Sequence, residues 1–397
     1  MRIENEAITN VKSEEAYLSH ISSIAFDNGM SMVLWQLPTQ NTRHLILSEK
    51  HELINKETTL EELPAGFIFA PFDRERDRIY LKGDFHFVFS NDKLVSPDSP
   101  EKEASLNWLS SNIPYAKPKH LKVSKSLPPS DAKTKDDFLN MVEDAITAID
   151  EKVFEKVVPS RIKKIPVTDN FDILTAFGKL CKAYPNTLVS LVHIPGIGTW
   201  LGASPEILVS VENGSIFKTV ALAGTKAFNQ GINLKSVAWT QKEIEEQALV
   251  ERYIISCFKK IRLREYDEHG PKTTVAGNLL HLKSDFTVDM KATNFPQLGS
   301  VMLSLLHPTS AVCGMPLDPA QTFLKNHEGY DREFYAGYLG PVNINNDTYI
   351  FVNLRCMQLV NEFAIFYAGA GITADSIPEN EWEETEIKLN TLSAIIL

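Results

Sequence analysis

The chain has 397 residues, of which 43% are hydrophobic and 23% are charged, which suits one large hydrophobic core or two domains rather than a disordered or fibrous protein. The net charge of −11 and the lack of a long basic run exclude a protein built to follow a nucleic-acid backbone. An anionic ligand would therefore need a metal ion, a lysine or an arginine to compensate its charge locally.

The cysteine pattern and the chain start indicate the compartment. The four cysteines are widely scattered and lack Cys-x-x-Cys spacing, so we interpret them as free thiols in a reducing environment. The N-terminus is acidic without an apolar signal region, and no run approaches 18 apolar residues. We expect a cytoplasmic protein that does not associate with membranes.

Residues 1–130 are interpreted as a strand-rich first part that packs on the same core as the rest. Short apolar runs at residues 31–37, 65–71 and 85–89 are separated by polar turns and predict strands. Residues 91–134 are rich in Ser, Pro, Lys and Asp and show little periodicity, which predicts an extended connector.

Residues 131–397 are interpreted as the second and main part, in which helices and strands alternate. An amphipathic helix begins at Lys135, a strand crosses residues 156–158, and a further helix surrounds residues 173–180. This alternation contrasts with the strand-rich first part.

Two hairpins identify the fold class. One joins residues 207–211 to residues 216–220, and the other joins residues 349–356 to residues 363–367. Tight turns imply antiparallel pairing. The sequence therefore predicts an α+β fold with large, mainly antiparallel sheets and helices packed outside.

A glycine turn precedes an acidic helix near the C-terminus. Residues 367–373 end an apolar run with Gly-x-Gly, whose backbone N–H groups are open to an anion. On the helix that follows, Glu381, Glu384 and Lys388 share one face. Taken alone, the five glutamates of residues 379–386 are most simply a solvated helix surface.

A second acidic helix favours a metal site. Its residue Glu246 lies on the apolar stripe that contains Val250, Tyr253 and Cys257. A carboxylate on a buried stripe is costly unless a cation or donors compensate it. Few carboxylates, with waters or substrate oxygens as further ligands, are the usual environment of Mg²⁺.

Eight motifs, taken together, resemble a known family. They are residues 156–161, 202–206, 221–225, 307–312, 331–337, Arg355, residues 368–371 and residues 381–384. In this order and spacing the chain resembles the chorismate-utilising enzymes, which include isochorismate, salicylate, anthranilate and aminodeoxychorismate synthases. The resemblance spans roughly residues 135–395, and it implies the α+β fold of chorismate-binding enzymes with chorismate as substrate.

The resemblance assigns the metal and one carboxylate of the substrate. Glu246 and Glu384 occupy the positions of Mg²⁺-binding glutamates, and Glu381 would bind the ion through water. The ring carboxylate would lie on Mg²⁺ and on a set of backbone donors and a nearby lysine, namely Gly224, Thr225, Gly371 and Lys388.

The same resemblance assigns the rest of the pocket. Arg355 and Tyr335, with the backbone of Gly369, would bind the enolpyruvyl carboxylate, for which a guanidinium fork is well shaped. His281 and Ala311 would line the substrate pocket. On its own, His281 would be read as a hydrogen-bonded core histidine.

Two residues are implied to do the chemistry. Lys156, otherwise a surface lysine at a strand start, would be the base that activates water. Glu206, otherwise a strand-edge carboxylate, would be the acid that protonates the departing C4 hydroxyl, which requires surroundings that keep it protonated.

Few positions distinguish the members of the family. Lys156 stands where ammonia-using members have glutamine, and Ala223 stands where aminodeoxychorismate synthases have a nucleophilic lysine. Ala311 and Leu222 replace the threonine and isoleucine typical of salicylate synthases. These residues favour a Mg²⁺-dependent isochorismate synthase, with a salicylate synthase or a non-catalytic chorismate-binding protein as alternatives.

The sequence departs from the family pattern beside the predicted metal ligand Glu246, and it also predicts the partners of the protein. Glu245-Glu246-Gln247 stands where the family often has His-Glu-His, which adds negative charge beside the ion. No segment resembles a glutaminase, so we expect no glutaminase subunit, and a monomer or weak dimer. The product could feed either menaquinone or siderophore synthesis.

Overall fold

Two large antiparallel sheets form the framework of this computed structural model, which describes residues 13–91, 93–95, 102–112, 133–227, 233–276 and 279–397. The strands in chain order are β1 Ser31–Gln36, β2 Arg43–Ser48, β3 Glu52–Ile54, β4 Gly66–Ala70, β5 Arg78–Lys82, β6 Phe85–Ser90, β7 Lys93–Val95, β8 Lys156–Val157, β9 Ser160–Pro166, β10 Leu188–Ile194, β11 Gly198–Ser204, β12 Ile207–Glu212, β13 Ile216–Ala227, β14 Asp267–Ala276, β15 Leu279–Asp289, β16 Gly314–Met315, β17 Tyr338–Val342, β18 Thr348–Val352, β19 Cys356–Val360 and β20 Phe363–Gly369. The helices are α1 Glu14–Asp27, α2 Lys102–Asn112, α3 Lys135–Asp150, α4 Ile173–Ala183, α5 Gln241–Lys260, α6 Leu298–Leu306, α7 Leu317–His327 and α8 Pro378–Ile396.

Each large sheet has nine strands and combines early and late parts of the chain. The first sheet runs β7-β6-β2-β1-β10-β11-β19-β20-β9, and the second runs β14-β15-β13-β12-β18-β17-β4-β5-β3. β1 pairs with β10, and β4 pairs with β17, so strands from residues 31–95 belong to both sheets. The predicted α+β class with mainly antiparallel sheets is confirmed.

An aromatic cluster holds the two sheets face to face. Phe69 of the second sheet stacks on Phe334 at 4.0 Å and meets Trp200 of the first sheet at 6.1 Å between ring centroids. Trp200 in turn stacks on Tyr367 at 5.3 Å. Large interlocked rings bury much apolar surface and adopt a small number of packed geometries, so this cluster fixes the separation of the sheets.

Helices cover the outer faces of both sheets. Apolar residues of α1, α4 and α8 form a second core with the first sheet, whereas α5 and α6 pack against β13 and β12 of the second sheet. In the part of the chain that the structure describes, no helix has the length and apolarity to cross a bilayer.

The structure differs from the predicted connector at residues 91–134. Its described part contains the helix α2, whose Leu109 is fully buried and whose Trp108 packs on Phe85 at 5.4 Å between ring centroids. This helix is weakly amphipathic, and its stability comes from packing on β6 rather than from local sequence.

The predicted strand over residues 349–356 is also wrong. β18 ends at Val352 in the second sheet, and β19 begins at Cys356 in the first, so only the latter forms a hairpin with β20. Arg355 adopts a left-handed backbone with φ of +48°. The chain leaves one sheet and enters the other at residues 353–355, a bend that the apolar pattern does not reveal.

The aromatic cluster yields a stability prediction. Phe69→Ala should lower the free energy of unfolding by ~3–5 kcal/mol, because it removes a fully buried ring that contacts both sheets. Leu53→Ala, at a side chain that is 63% exposed, should change it by ~0.5 kcal/mol or less. Urea unfolding monitored by circular dichroism measures both, and equal effects would contradict this role of Phe69.

Candidate active site

Two neighbouring strand crossovers place Glu206 and Arg355 side by side. β11 and β12 are joined through Glu206, and β18 and β19 are joined through Arg355. β11 pairs with β19, and β12 pairs with β18, so the two crossovers run together from one sheet to the other. The Val352 N–H donates to the Glu206 carbonyl at 2.9 Å, and the Ala203 N–H donates to the Arg355 carbonyl at 3.0 Å.

The carboxyl group of Glu206 has an unusual protonation equilibrium. Burial raises its pKa to about 7, against the opposing effects of the Thr309 hydroxyl, Lys156 and Arg355. The Thr309 hydroxyl lies 3.5 Å from Glu206 Oε1. A carboxylic acid that is partly protonated at neutral pH can donate a proton. The acid role of Glu206 requires such a carboxyl group, and it stays a prediction.

A small cavity of about 30 Å³ lies against Glu206. Its wall includes Thr309 and Ala311, together with Leu222 from β13. A volume of this size is large enough to hold a water molecule. The two positions at which salicylate synthases typically differ from this chain, Ala311 and Leu222, therefore lie in the wall of the cavity beside Glu206.

Lys156 is held by backbone pairing on both sides of β8. Met315 of β16 is its strand partner, while Val157 exchanges backbone hydrogen bonds with Ile372 at 3.2 and 2.8 Å. A methyl group on Gly371 would lie 3.1 Å from the Lys156 Cε and 3.5 Å from its Nζ. The lysine therefore lies across Gly371, where a side chain would press on it.

Arg355 is a cation available to a ligand. Its guanidinium forms no hydrogen bond or ion pair with any residue that the structure describes, and burial lowers its pKa. Tyr335, Tyr184, Glu384 and Glu206 are near enough to oppose that shift. A buried cation without a partner is costly, and a bound carboxylate would compensate it.

Tyr335, Gly369 and Lys388 form one wall of the site. The Tyr335 ring stacks on Tyr367 with centroids 5.1 Å apart, and a methyl group on Gly369 would lie 3.4 Å from the Tyr335 hydroxyl. Lys388 Nζ donates to the Gly369 carbonyl at 2.8 Å and pairs with Glu384 at 2.5 Å. Burial lowers the pKa of Lys388, which its acidic neighbours on α8 oppose.

His281 and Gly224 lie on the second sheet beside Arg355. The two are linked by a 2.7 Å hydrogen bond between His281 Nδ1 and the Gly224 carbonyl, in which Nδ1 is the donor because a carbonyl only accepts. Burial lowers the pKa of His281, and Arg355 lowers it further. A neutral His281 then keeps Nε2 as an acceptor. The side chain of Thr225 lies outside the described residues.

The predicted metal ligands lie on α5 and α8. Glu384 pairs with Lys388, and the charge of Glu381 also acts on Lys388, so the three share one face of α8 as predicted. Glu246 is half-buried on α5. Among the described residues, no three His, Cys, Asp or Glu side chains converge on a metal-binding point. The assignment of these glutamates to a metal stays a prediction.

The stripe of α5 differs in detail from the sequence interpretation. Gln247 is its most deeply buried polar residue, 1% exposed, with its amide donating to the Ala221 carbonyl at 3.2 Å. Glu246 lies at the edge of the stripe. The hydrophobic period of a helix leaves this one-residue ambiguity, which packing against β13 resolves.

Arg161 holds α8 in place, although the sequence analysis gave it no role. It is 4% exposed, donates to the Thr385 hydroxyl at 2.7 Å and lies 3.7 Å from the Trp382 ring. It also pairs with Glu386. Thr309 was likewise without a role. Both residues belong to motifs that the sequence showed, and this membership is the signal that could have identified them.

The comparisons with known proteins identify the family. Residues 76–397 match the family model described as chorismate binding enzyme. Isochorismate synthase EntC of Escherichia coli K12 is 29% identical over 260 residues, which cover 64% of this chain and 66% of EntC. The alignment thus spans slightly less than two thirds of that relative.

Solved structures show the same fold. MenF, the menaquinone-specific isochorismate synthase of Escherichia coli, superposes with a TM-score of 0.75 at 21% identity, covering 95% of this chain and 91% of MenF. Anthranilate synthase component I of Streptococcus pneumoniae superposes with a TM-score of 0.68 at 21% identity, covering 92% of each chain. Because these two proteins are named for different reactions, the shared fold does not by itself decide the activity.

The raised pKa of Glu206 yields a prediction about pH and stability. The pKa of Glu206 is about 7 in the folded state and about 4.5 in the unfolded state. The folded state therefore keeps this proton to higher pH, and the free energy of unfolding falls as pH rises between the two values. Glu206→Gln keeps a neutral group and should stabilise the fold at pH 8 by ~1–3 kcal/mol, with little effect at pH 4.

Free energies of unfolding of wild type and variant across this pH range measure the difference. Glu143→Gln, at an exposed position of α3, serves as the control. A Glu206→Gln effect that does not grow with pH would contradict the raised pKa.

Proposed function

Because the chain belongs to the chorismate-binding enzyme family, we propose that it is a Mg²⁺-dependent isochorismate synthase. The observation that carries the proposal is the juxtaposition of Lys156 with a Glu206 whose pKa is raised to about 7. The unpaired guanidinium of Arg355 beside them supplies the anion-binding group that a dicarboxylate substrate requires.

In the proposed reaction, water adds at C2 of chorismate and the C4 hydroxyl leaves. As the base, Lys156 takes a proton from the attacking water, and Glu206 gives its proton to the departing hydroxyl, which leaves as water. The ring double bonds shift between these carbons, so substrate and product are isomers. Because a base acts on the attacking water and an acid on the leaving group, free hydroxide does not build up in either step.

The binding groups orient chorismate for this exchange. Arg355 and Tyr335 would hold the enolpyruvyl carboxylate, and the backbone around Gly224 and Gly371 would face the ring carboxylate. His281, neutral and anchored to Gly224, offers Nε2 as an acceptor for a substrate hydroxyl. Several fixed contacts with one substrate make the reaction effectively unimolecular.

The donor set of α5 and α8 fits Mg²⁺. Glu246 and Glu384 provide hard carboxylate oxygens in the small number that Mg²⁺ takes, with Glu381 next to them. Glu384 pairs with Lys388, so a bound ion would share this carboxylate with the lysine. When bound, the ion would neutralise the ring carboxylate and polarise the ring for attack.

The relatives and two side chains support the isochorismate product over other products. EntC is named an isochorismate synthase, and MenF a menaquinone-specific one. Ala311 and Leu222, where salicylate synthases tend to have threonine and isoleucine, lie in the cavity wall beside Glu206. Lys156 in place of glutamine supports water rather than ammonia as nucleophile.

Lys156→Gln should abolish hydration of chorismate and leave the fold intact, since it removes the base and keeps a side chain of similar length. Loss of one general base typically costs roughly 10²–10⁴ in rate. Chromatography of the products of chorismate with Mg²⁺ resolves isochorismate, salicylate and anthranilate.

Lys325→Gln, at an exposed lysine of α7, is the matched control and should retain wild-type turnover. More than half of the wild-type rate in Lys156→Gln would remove this lysine from the mechanism. Salicylate as the main wild-type product would replace the proposal by its nearest alternative.

Mg²⁺ should bind the protein and strengthen chorismate binding. Calorimetric titration of Mg²⁺, with and without chorismate, measures both the affinity and the coupling. Glu384→Ala should weaken Mg²⁺ binding by ~10-fold or more and remove most of the coupling, because it deletes a ligand.

Glu383→Ala changes the exposed neighbour on the same helix and should leave both quantities unchanged. If chorismate bound equally well in excess chelator, α5 and α8 would not be the helices that hold the metal ion.

A further inference from the structure

A fully buried ion pair lies behind the candidate site and is not part of it. Glu328 is 4% exposed and Arg332 is 3% exposed in their side chains, and they pair through both carboxylate oxygens. Arg332 also lies over the Phe72 ring, with its guanidinium carbon 4.3 Å from the ring centroid. Neither residue touches the cavity beside Glu206.

The pair reaches the segment that carries Lys156. Glu328 Oε1 accepts both the Ser160 N–H and the Ser160 hydroxyl at 2.7 Å, and Arg332 Nη2 donates to the Val158 carbonyl at 2.7 Å. Ser160 is fully buried, and its hydroxyl also lies 2.6 Å from the Tyr330 hydroxyl. The turn between β8 and β9 is therefore bound on both sides of Pro159.

The same guanidinium reaches two more segments of the site. Arg332 Nη1 donates to the Val312 carbonyl at 2.8 Å, which holds the loop that carries Thr309. The Arg332 carbonyl accepts the Tyr335 N–H at 2.9 Å, which fixes the turn that carries this tyrosine. One side chain and its backbone thus join the segments of the base, the Thr309 hydroxyl and a substrate-binding tyrosine.

Stability alone does not explain this arrangement. Removing two charges from water costs more than their attraction commonly returns, and apolar residues of similar volume often replace such a pair without loss of stability. A planar guanidinium with five fixed donors, however, can hold several carbonyls at set directions. The guanidinium can therefore fix the positions of the carbonyl groups that it binds.

We propose that Glu328 and Arg332 form a positioning pair, whose side chains set the positions of the segments that carry Lys156 and Thr309 against Glu206. The inference rests on the proposed function for its kinetic consequence, whereas its structural consequence at Glu206 does not. If the pair is lost, the segments of Lys156 and Thr309 can shift independently, and a displacement of about 1 Å is enough to cost roughly 10²-fold in rate.

The double variant Glu328→Gln/Arg332→Met tests the proposal, since it removes both charges and keeps similar volumes. Turnover at saturating chorismate and Mg²⁺ should fall roughly 10²-fold. The pKa of Glu206 should rise by ~0.5–1 unit, because the nearby Thr309 hydroxyl and Lys156 charge, which lower it, move away. The Glu206 δ-carbon signal in ¹³C-glutamate-labelled protein, identified by its loss in Glu206→Gln, reports this titration without turnover.

Ser160→Ala is the milder second variant, because it leaves the ion pair intact and deletes one hydroxyl. Its turnover should fall ~3- to 10-fold with the Glu206 titration moving in the same direction. If the double variant does not fold, Ser160→Ala decides the question on the same two measurements.

The matched control is Glu14→Gln/Arg43→Met. This pair joins α1 to β2 at 2.7 Å, with side chains 7% and 23% exposed, and has no contact with the site segments. It should leave turnover and the Glu206 titration unchanged.

Wild-type values of both quantities in a folded double variant would overturn the proposal. A fall in turnover without movement of the Glu206 titration would overturn it too, since destabilisation alone lowers the amount of active protein. A wild-type protein that does not turn over chorismate would overturn the proposed function, and the Glu206 titration would still test the positioning pair.

Discussion

The site depends on a pair of strands that pass together from one sheet to the other. β11 continues into β12 through Glu206, and β18 continues into β19 through Arg355, with backbone hydrogen bonds between the two bends. Each bend lies between two ladders, and the charges of Glu206 and Arg355 act on each other there. An acid and a cation are thereby fixed on rigid backbone, which a long loop could not do.

Cations gather in the candidate site, although the chain as a whole carries a negative charge. The protein carries a net charge of −11, yet Lys156 and Arg355 lie beside Glu206, and Lys388 lies near Arg355. Burial raises the pKa of Glu206 and lowers the pKa values of Arg355 and Lys388. In each case the neutral form is favoured because the charged form has lost water. A dianionic ligand would reverse this balance for the cations, which explains why the site is suited to bind one.

Motif order made much of the candidate site predictable. Lys156, Glu206, Tyr335 and Arg355 were identified from short sequence patterns, and the structure brings them together. The supporting residues escaped prediction for a physical reason. Arg332 donates hydrogen bonds to backbone carbonyl groups of distant segments. Every residue carries such a carbonyl, so no residue type in the sequence marks these contacts.

The sequence by itself determined the α+β class, the antiparallel hairpin at residues 213–214 and the shared face of Glu381, Glu384 and Lys388, because these follow from local periodicity and turn chemistry. Tertiary structure alone decided that residues 349–356 divide between two sheets. Residues 349–352 are apolar, and the polar Asn353 and Arg355 then alternate with Leu354 and Cys356, so the pattern suits one uninterrupted strand. Only pairing of each half with a different partner strand produces the bend at Arg355 and, with it, the site.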